Sequence, residues 1–103
     1  MVKELETADE YKNAIAGEGL VVVDFTATWC PPCQMIGPKF VALDGKYDGV
    51  TLFKVDVDKN GEAAQLAGIE AMPTFKFFKG GAEVHMIRGA DEAGLIAKIE
   101  ELK

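Results

Sequence analysis

Residues 20–33 read Leu-Val-Val-Val-Asp-Phe-Thr-Ala-Thr-Trp-Cys-Pro-Pro-Cys, an almost continuous apolar run followed by two cysteines three positions apart. The run is rich in β-branched residues, which is typical of a strand that is buried on both faces. Such a strand lies in the middle of a sheet. The cysteines follow its carboxyl end, where open α/β sheets place their functional sites. The stretch therefore predicts a central strand that leads directly into a chemically active turn.

The flanking sequence alternates between helical and extended patterns. Apolar residues recur at helical spacing on both sides of the cysteines, and Pro38 inside one such stripe predicts a kink and not an end. Gly80-Gly81 suits a tight antiparallel hairpin. The predicted strands cover residues 2–5, 20–25, 51–57, 74–79 and 83–88. The predicted helices cover 8–15, 62–67 and 92–102, and a further helix begins at the cysteines, carries an apolar stripe over 36–47 and ends near 45–49. The order βαβαβαββα predicts an α/β fold with a central mixed five-stranded sheet flanked by four helices.

Composition and charge narrow the possible functions. The 103 residues are 49% apolar, which predicts a single domain over 1–103. The net charge of −6 disfavours nucleic-acid binding, and the longest strongly apolar stretch is far too short to cross a membrane. The N-terminus has no secretory-signal pattern, so we expect a reducing, cytoplasmic compartment. Two cysteines in such a compartment are expected to act chemically and not as structural staples.

The spacing of Cys30 and Cys33 allows a disulfide only in a helical turn. In a strand the two residues would be roughly 10 Å apart, whereas on a helix they are neighbours at roughly 5 to 6 Å. Cys30 would lie at the N-cap, where unpaired N–H groups and the helix dipole favour a thiolate. Cys33, one turn inward and less exposed, would then attack a mixed disulfide formed by Cys30. The pattern predicts a nucleophile at Cys30 and a resolving thiol at Cys33.

Two plainer interpretations of the cysteines remain open. They could be inert core residues, or they could be half of a zinc site. Zinc usually takes four ligands, and the chain offers only one additional nitrogen or sulfur donor of the usual kind, His85, which we interpret as an exposed surface residue. A complete metal site within one chain is therefore not expected.

Several separate motifs occur in order along essentially the whole chain. They are Val22-Val23-Asp24-Phe25-Thr26-Ala27-Thr28-Trp29-Cys30, Pro32-Cys33, Pro38, Lys54-Val55-Asp56-Val57-Asp58, Met72-Pro73-Thr74-Phe75 and Gly89-Ala90. Together, and without a large insertion, they resemble the thioredoxin family, animal-type thioredoxins in particular.

The resemblance implies roles for residues around the cysteines. Asp24 would be a buried acid/base that helps deprotonate Cys33, and Lys54 on the neighbouring strand would modulate it. From the residues alone, the alternative for Asp24 is a structural carboxylate satisfied by hydrogen bonds. A solvated surface lysine is an equally fair interpretation of Lys54. Burial of Asp24 would raise its pKa in either case.

The resemblance also implies a substrate groove. Pro73 would be cis and face the disulfide, and the backbone of Met72 would pair with an extended substrate segment. The groove would be completed by Trp29, Pro31, Pro32, Gly89 and Ala90.

The chain departs from the family at the two residues between the cysteines. Thioredoxins usually have Gly-Pro there, whereas this chain has Pro31-Pro32. Pro31 has no N–H to donate to Cys30, and a following proline disfavours helical ψ, so we expect the helix to start a residue later. Gln34 stands where animal thioredoxins usually have a lysine, and Ala71 where some have an extra cysteine. We therefore expect a monomer without disulfide-linked dimers.

These features imply a protein dithiol-disulfide oxidoreductase of the thioredoxin type. It would bind no cofactor itself and would use NADPH indirectly, through a thioredoxin reductase as partner, to reduce disulfide-containing substrate proteins. The chain lacks the glycine-rich phosphate signature needed to hold the nucleotide. Two alternatives stay open: a binding module that uses the groove without turnover, and an oxidase or isomerase that resembles protein disulfide isomerase domains.

Overall fold

The computed structural model describes residues 2–103. The elements follow the predicted order along the chain. The strands are β1 (Lys3–Glu4), β2 (Leu20–Thr26), β3 (Val50–Asp56), β4 (Thr74–Lys79) and β5 (Ala82–Arg88); the helices are α1 (Ala8–Ile15), α2 (Pro31–Val41), α3 (Gly61–Ala67) and α4 (Glu92–Leu102).

The five strands form one mixed sheet in the order β1-β3-β2-β4-β5. The central strand β2 is parallel to β3 and antiparallel to β4, and β4 and β5 form the predicted antiparallel hairpin. Gly80 and Gly81, which connect the hairpin, have positive φ values of 59° and 82°. The predicted fold class is therefore confirmed, including the central position of the Leu20–Thr26 strand.

Apolar cores cover both faces of the sheet, because alternate residues of β2 point in opposite directions. Val22 belongs to the core formed with α2 and α4, whereas Val21 and Val23 belong to the core formed with α1 and α3. A short third cluster joins Cys30 and Cys33 to Ala27 at the end of β2. The cysteines are thus attached to the most buried part of the fold.

Helix α2 is shorter than its apolar stripe predicts. It continues past Pro38, as expected, but ends at Val41 and not near 45–49. The chain continues in turns, where the N–H of Leu43 donates to the carbonyl of Phe40. Leu43 is still buried, and Tyr47 still packs on the core. The prediction was wrong because consecutive turns keep apolar residues on the core at nearly helical spacing.

None of the helices within residues 2–103 is both long enough and apolar enough to span a bilayer.

Candidate active site

Cys30 and Cys33 form a disulfide at the start of α2. Cys30 is the N-cap residue in an extended conformation, and the two Cα atoms are 5.2 Å apart. This separation lies within the range that a disulfide allows. The predicted closure of the two cysteines across a helical turn is confirmed.

The two prolines are part of the helix. α2 begins at Pro31, so the expected later start was wrong. The first helical positions have no intrahelical partner for their N–H groups, so prolines there remove no bond that the helix needs. The N–H of Cys33 donates to Cys30 Sγ at 3.3 Å, and the N–H of Gln34 donates to the Cys30 carbonyl at 3.1 Å. The N-terminus of α2 is therefore capped through the N–H groups of the two residues that follow the prolines.

The two cysteines differ less in exposure than in surroundings. Cys30 is 4% exposed and Cys33 2% exposed, so accessibility hardly separates them. Cys30 Sγ lies 3.7 Å from the Met72 carbonyl oxygen, on the side of the predicted groove. Cys33 instead lines an open cavity of about 570 Å³, together with Asp24 and Lys54. Each sulfur therefore meets a different part of the site.

Asp24 is a buried carboxyl group on the central strand. It is 3% exposed, and its Oδ1 has no hydrogen-bond partner among residues 2–103. Burial raises the pKa of Asp24 to about 7, against the smaller opposing effect of the positive charge on Lys54. Lys54 lies opposite Asp24 in the parallel pairing of β2 with β3. The structure thus brings Asp24, Lys54 and Cys33 to one cavity, with Asp24 able to take or release a proton near neutral pH.

The Gly89-Ala90 part of the predicted groove lies beside the Met72-Pro73 turn. The peptide bond between Met72 and Pro73 is cis, as the resemblance implies. The Pro73 carbonyl accepts from the N–H of Gly89 at 2.8 Å, which places the Gly89-Ala90 turn beside Pro73. Ala90 is exposed. We call Trp29, Met72, Pro73, Gly89 and Ala90 the groove residues.

Trp29 is held in place although it is exposed. Its side chain is 63% exposed, and its indole Nε1 donates to Asp58 Oδ2 at 2.7 Å. The Asp56 carboxylate accepts from the N–H groups of Asp58 and Lys59, which orders the turn that carries Asp58. Sequence reasoning assigned no role to either aspartate. The signal was present, because both belong to the Lys54–Asp58 motif.

Gln34 makes a second hydrogen bond that sequence reasoning missed. Its Nε2 donates to the Ala27 carbonyl at 3.1 Å, and the N–H of Cys30 donates to the same oxygen at 3.3 Å. The turn between β2 and α2 is therefore connected to the first turn of the helix through one acceptor. The one signal in the sequence was that a glutamine stands at position 34, where animal thioredoxins usually have a lysine.

The residues that could support the zinc interpretation are not brought together. Within residues 2–103, no three or more His, Cys, Asp or Glu side chains are grouped so as to hold a metal ion. His85 lies on β5, where its ring packs against Phe77 with the centroids 5.6 Å apart. It is half-buried, so its interpretation as an exposed residue was wrong.

Comparisons with known proteins agree in their result. A profile of the thioredoxin family matches residues 2–101. The chain is 48% identical to a thioredoxin of Geodia cydonium, with 100% of both chains covered, and 46% identical to a thioredoxin of Homo sapiens, with 99% of both covered. Among solved structures, the thioredoxin of Fasciola hepatica superposes with a TM-score of 0.94 at 43% identity, covering 99% of this chain and 100% of that one. The thioredoxin of Malassezia sympodialis gives a TM-score of 0.92 at 44% identity, covering 98% and 92%.

Proposed function

The chain belongs to the thioredoxin family, and from that premise we propose which residues carry each step of its reaction. It is a protein dithiol-disulfide oxidoreductase that reduces disulfides in substrate proteins through the reversible Cys30–Cys33 disulfide. The observation that carries the proposal is the position of this pair. One sulfur caps a helix beside the Met72 carbonyl, and the other lines the cavity that contains Asp24.

The first step uses Cys30 as the nucleophile. Its thiolate attacks one sulfur of the substrate disulfide, the substrate S–S bond breaks, and a substrate thiolate leaves. The N–H of Cys33, which donates to Cys30 Sγ, stabilises the negative charge on the attacking sulfur. The product is a mixed disulfide between Cys30 and the substrate.

The second step uses Cys33 as the resolving thiol. The Asp24 carboxylate takes the proton of the Cys33 thiol across the shared cavity, and the Cys33 thiolate attacks Cys30 Sγ. The mixed disulfide breaks, the second substrate thiolate leaves and is protonated, and the Cys30–Cys33 disulfide forms. Two electrons have then passed from the protein to the substrate. A pKa of about 7 suits Asp24 to this exchange, and Lys54 adjusts that pKa downward.

The groove residues are proposed to hold the substrate. The exposed indole of Trp29 would offer an apolar surface. The Met72 backbone, whose carbonyl lies 3.7 Å from Cys30 Sγ, would pair with an extended segment. Gly89 and Ala90 leave room for close approach beside Pro73. Pro31 and Pro32 contribute a rigid, exposed rim at the start of α2.

The wider cellular role is proposed from family membership. A thioredoxin reductase is the expected partner, and it would supply electrons from NADPH without any nucleotide bound to this chain. The protein would then act in electron transfer and redox homeostasis, as a monomer in the cytoplasm. The net charge of −6 supports partners with basic surfaces.

One experiment tests both the chemistry and the partner. In an assay with NADPH, a thioredoxin reductase and a protein disulfide, we expect the wild-type protein to support continuous NADPH consumption. The Cys33→Ser variant should stop after attack and accumulate a mixed disulfide that a dithiol reagent releases. The matched Cys30→Ser variant should accumulate none.

The proposal fails if Cys30→Ser traps substrate as well as Cys33→Ser does. A partner that binds this chain equally well when both cysteines are replaced, without NADPH consumption by the wild type, would show a binding module. An equilibrium potential close to that of protein disulfide isomerases would show an oxidase or isomerase.

A further inference from the structure

Residues 68–73 connect α3 to β4 and carry the Met72 carbonyl to within 3.7 Å of Cys30 Sγ. At one end this loop is fixed to the sheet, because the N–H of Gly89 donates to the Pro73 carbonyl at 2.8 Å. The position of Met72 also depends on the other end of the loop, where α3 finishes.

A buried lysine fixes that other end. Lys76 on β4 is 7% exposed, and its Nζ donates to the carbonyl oxygen of Ala67, the last residue of α3. Its second acceptor is Glu83 Oε1 on β5, at 2.7 Å. The last carbonyls of a helix have no intrahelical donor and carry the negative end of the dipole, so an ammonium group is a favourable partner there.

Stability alone does not account for a lysine at this position. Lys76 pairs in register with Val23, which belongs to the apolar core between the sheet and helices α1 and α3. An apolar side chain would pack on that face without the cost of removing a charge from water, and buried ion pairs are often no more stable than apolar replacements. What an apolar side chain would not provide is a donor for the Ala67 carbonyl.

We propose that Lys76 is a positioning residue for the binding of protein substrates. By holding the end of α3 against β4, it holds the loop 68–73, and with it the backbone of Met72 that receives an extended substrate. This inference rests on the proposed role of Met72 in the groove. It predicts an effect on substrates that pair with the backbone and none on small disulfides, which need only the cysteines.

The test compares two substrates on the Lys76→Met variant. For an extended peptide that contains a disulfide, we expect KM to rise about fivefold, the size of one lost hydrogen bond, with kcat unchanged. For a small aromatic disulfide such as dithiobis(nitrobenzoate), we expect the wild-type rate. A merely structural role would change both substrates together or neither.

Glu83→Gln is the matched control. It removes the ionised partner of Lys76 and leaves the contact with the Ala67 carbonyl, so it should keep the wild-type KM. An equal rise in KM in this variant would overturn the inference, because the ion pair and not the Ala67 contact would then be responsible. If Lys76→Met does not fold, Lys76→Leu, which also lacks a donor, takes its place with the same expectation.

A peptide that is N-methylated beside its cysteine separates the two proposals. With the wild-type protein, methylation should raise KM because it blocks pairing with the Met72 backbone. If methylation has no effect, the proposed groove is wrong. If methylation raises KM but Lys76→Met does not, the groove stands and the positioning role of Lys76 is overturned.

Discussion

Asp24 and Lys76 are buried charged residues on opposite faces of the sheet, and they differ in their hydrogen-bond partners. Asp24 on β2 faces the α2 side, with one carboxylate oxygen that has no hydrogen-bond partner within residues 2–103. Lys76 on β4 faces the α1 and α3 side, where its Nζ has both the Ala67 carbonyl and the Glu83 carboxylate as acceptors. Both side chains are less than a tenth exposed.

The difference shows that a buried charged group can either exchange protons readily or hold neighbouring groups in position. An incompletely satisfied carboxyl group is costly to ionise, and this cost appears as a pKa of about 7 and a readiness to exchange protons. An ammonium group that donates to two acceptors on separate elements instead fixes the positions of those acceptors. We therefore propose that Asp24 takes part in the reaction and that Lys76 positions the loop 68–73.

The largest expected effect is on stability above neutral pH. The pKa of Asp24 is about 7 in the folded protein against an ordinary value of 3.8, so the folded state binds more protons between these values. The free energy of unfolding should therefore fall as pH rises through this window, by about 4 kcal/mol in all. Asp24→Asn lacks this loss and should be the more stable protein above the folded pKa, as measured by denaturant unfolding across the pH range.

Lys76→Met provides the contrast for that measurement. Its net effect on the free energy of unfolding should be small, within about 1 kcal/mol, because the packing of an apolar side chain offsets the donor that the Ala67 carbonyl loses. The pH dependence assigned to Asp24 should persist in this variant. If Asp24→Asn showed the same loss between the two pKa values as the wild type, the unpartnered carboxyl group would not be its source.

The second effect is on turnover. Asp24→Asn cannot accept the Cys33 proton, so resolution of the mixed disulfide should slow about 100-fold near neutral pH. Single-turnover reduction of a protein disulfide, with the mixed disulfide trapped by acid at intervals, measures this step directly. Formation of the mixed disulfide by Cys30 should be much less affected. If the rate of resolution were unchanged, Asp24 would not accept the Cys33 proton, and its role would be structural.

The smallest effect concerns Lys54, whose charge lowers the pKa of Asp24 against the larger effect of burial. Lys54→Met should raise the pKa of Asp24 further, so the pH at which the stability loss is half complete should move upward. Titration of the Asp24 carboxyl by NMR measures the same shift. A downward shift would mean that the two charges do not interact as their pairing in the sheet indicates.

The sequence predicts much of this molecule because its local patterns agree with one another. The β-branched run of β2, the glycine pair of the hairpin and the cysteine spacing each have one good structural solution, and each is confirmed. The end of α2 was missed because turns after Val41 preserve the apolar spacing. The start at Pro31 was missed because a residue before a proline disfavours helical ψ. The first turn of a helix nevertheless accepts prolines, since its N–H groups have no intrahelical partner.

What the sequence determined by itself is the order of the elements, the burial of the central strand and the identity of the reacting pair, since these depend on periodicity and on neighbours a few residues apart. The tertiary structure decided which distant groups meet. Trp29 with Asp58, Lys76 with the end of α3, and Asp24 with Cys33 across one cavity are contacts between separate elements. Hydrogen bonding and burial act over a few ångströms, so only the folded packing decides which side chains they join and how far they shift a pKa.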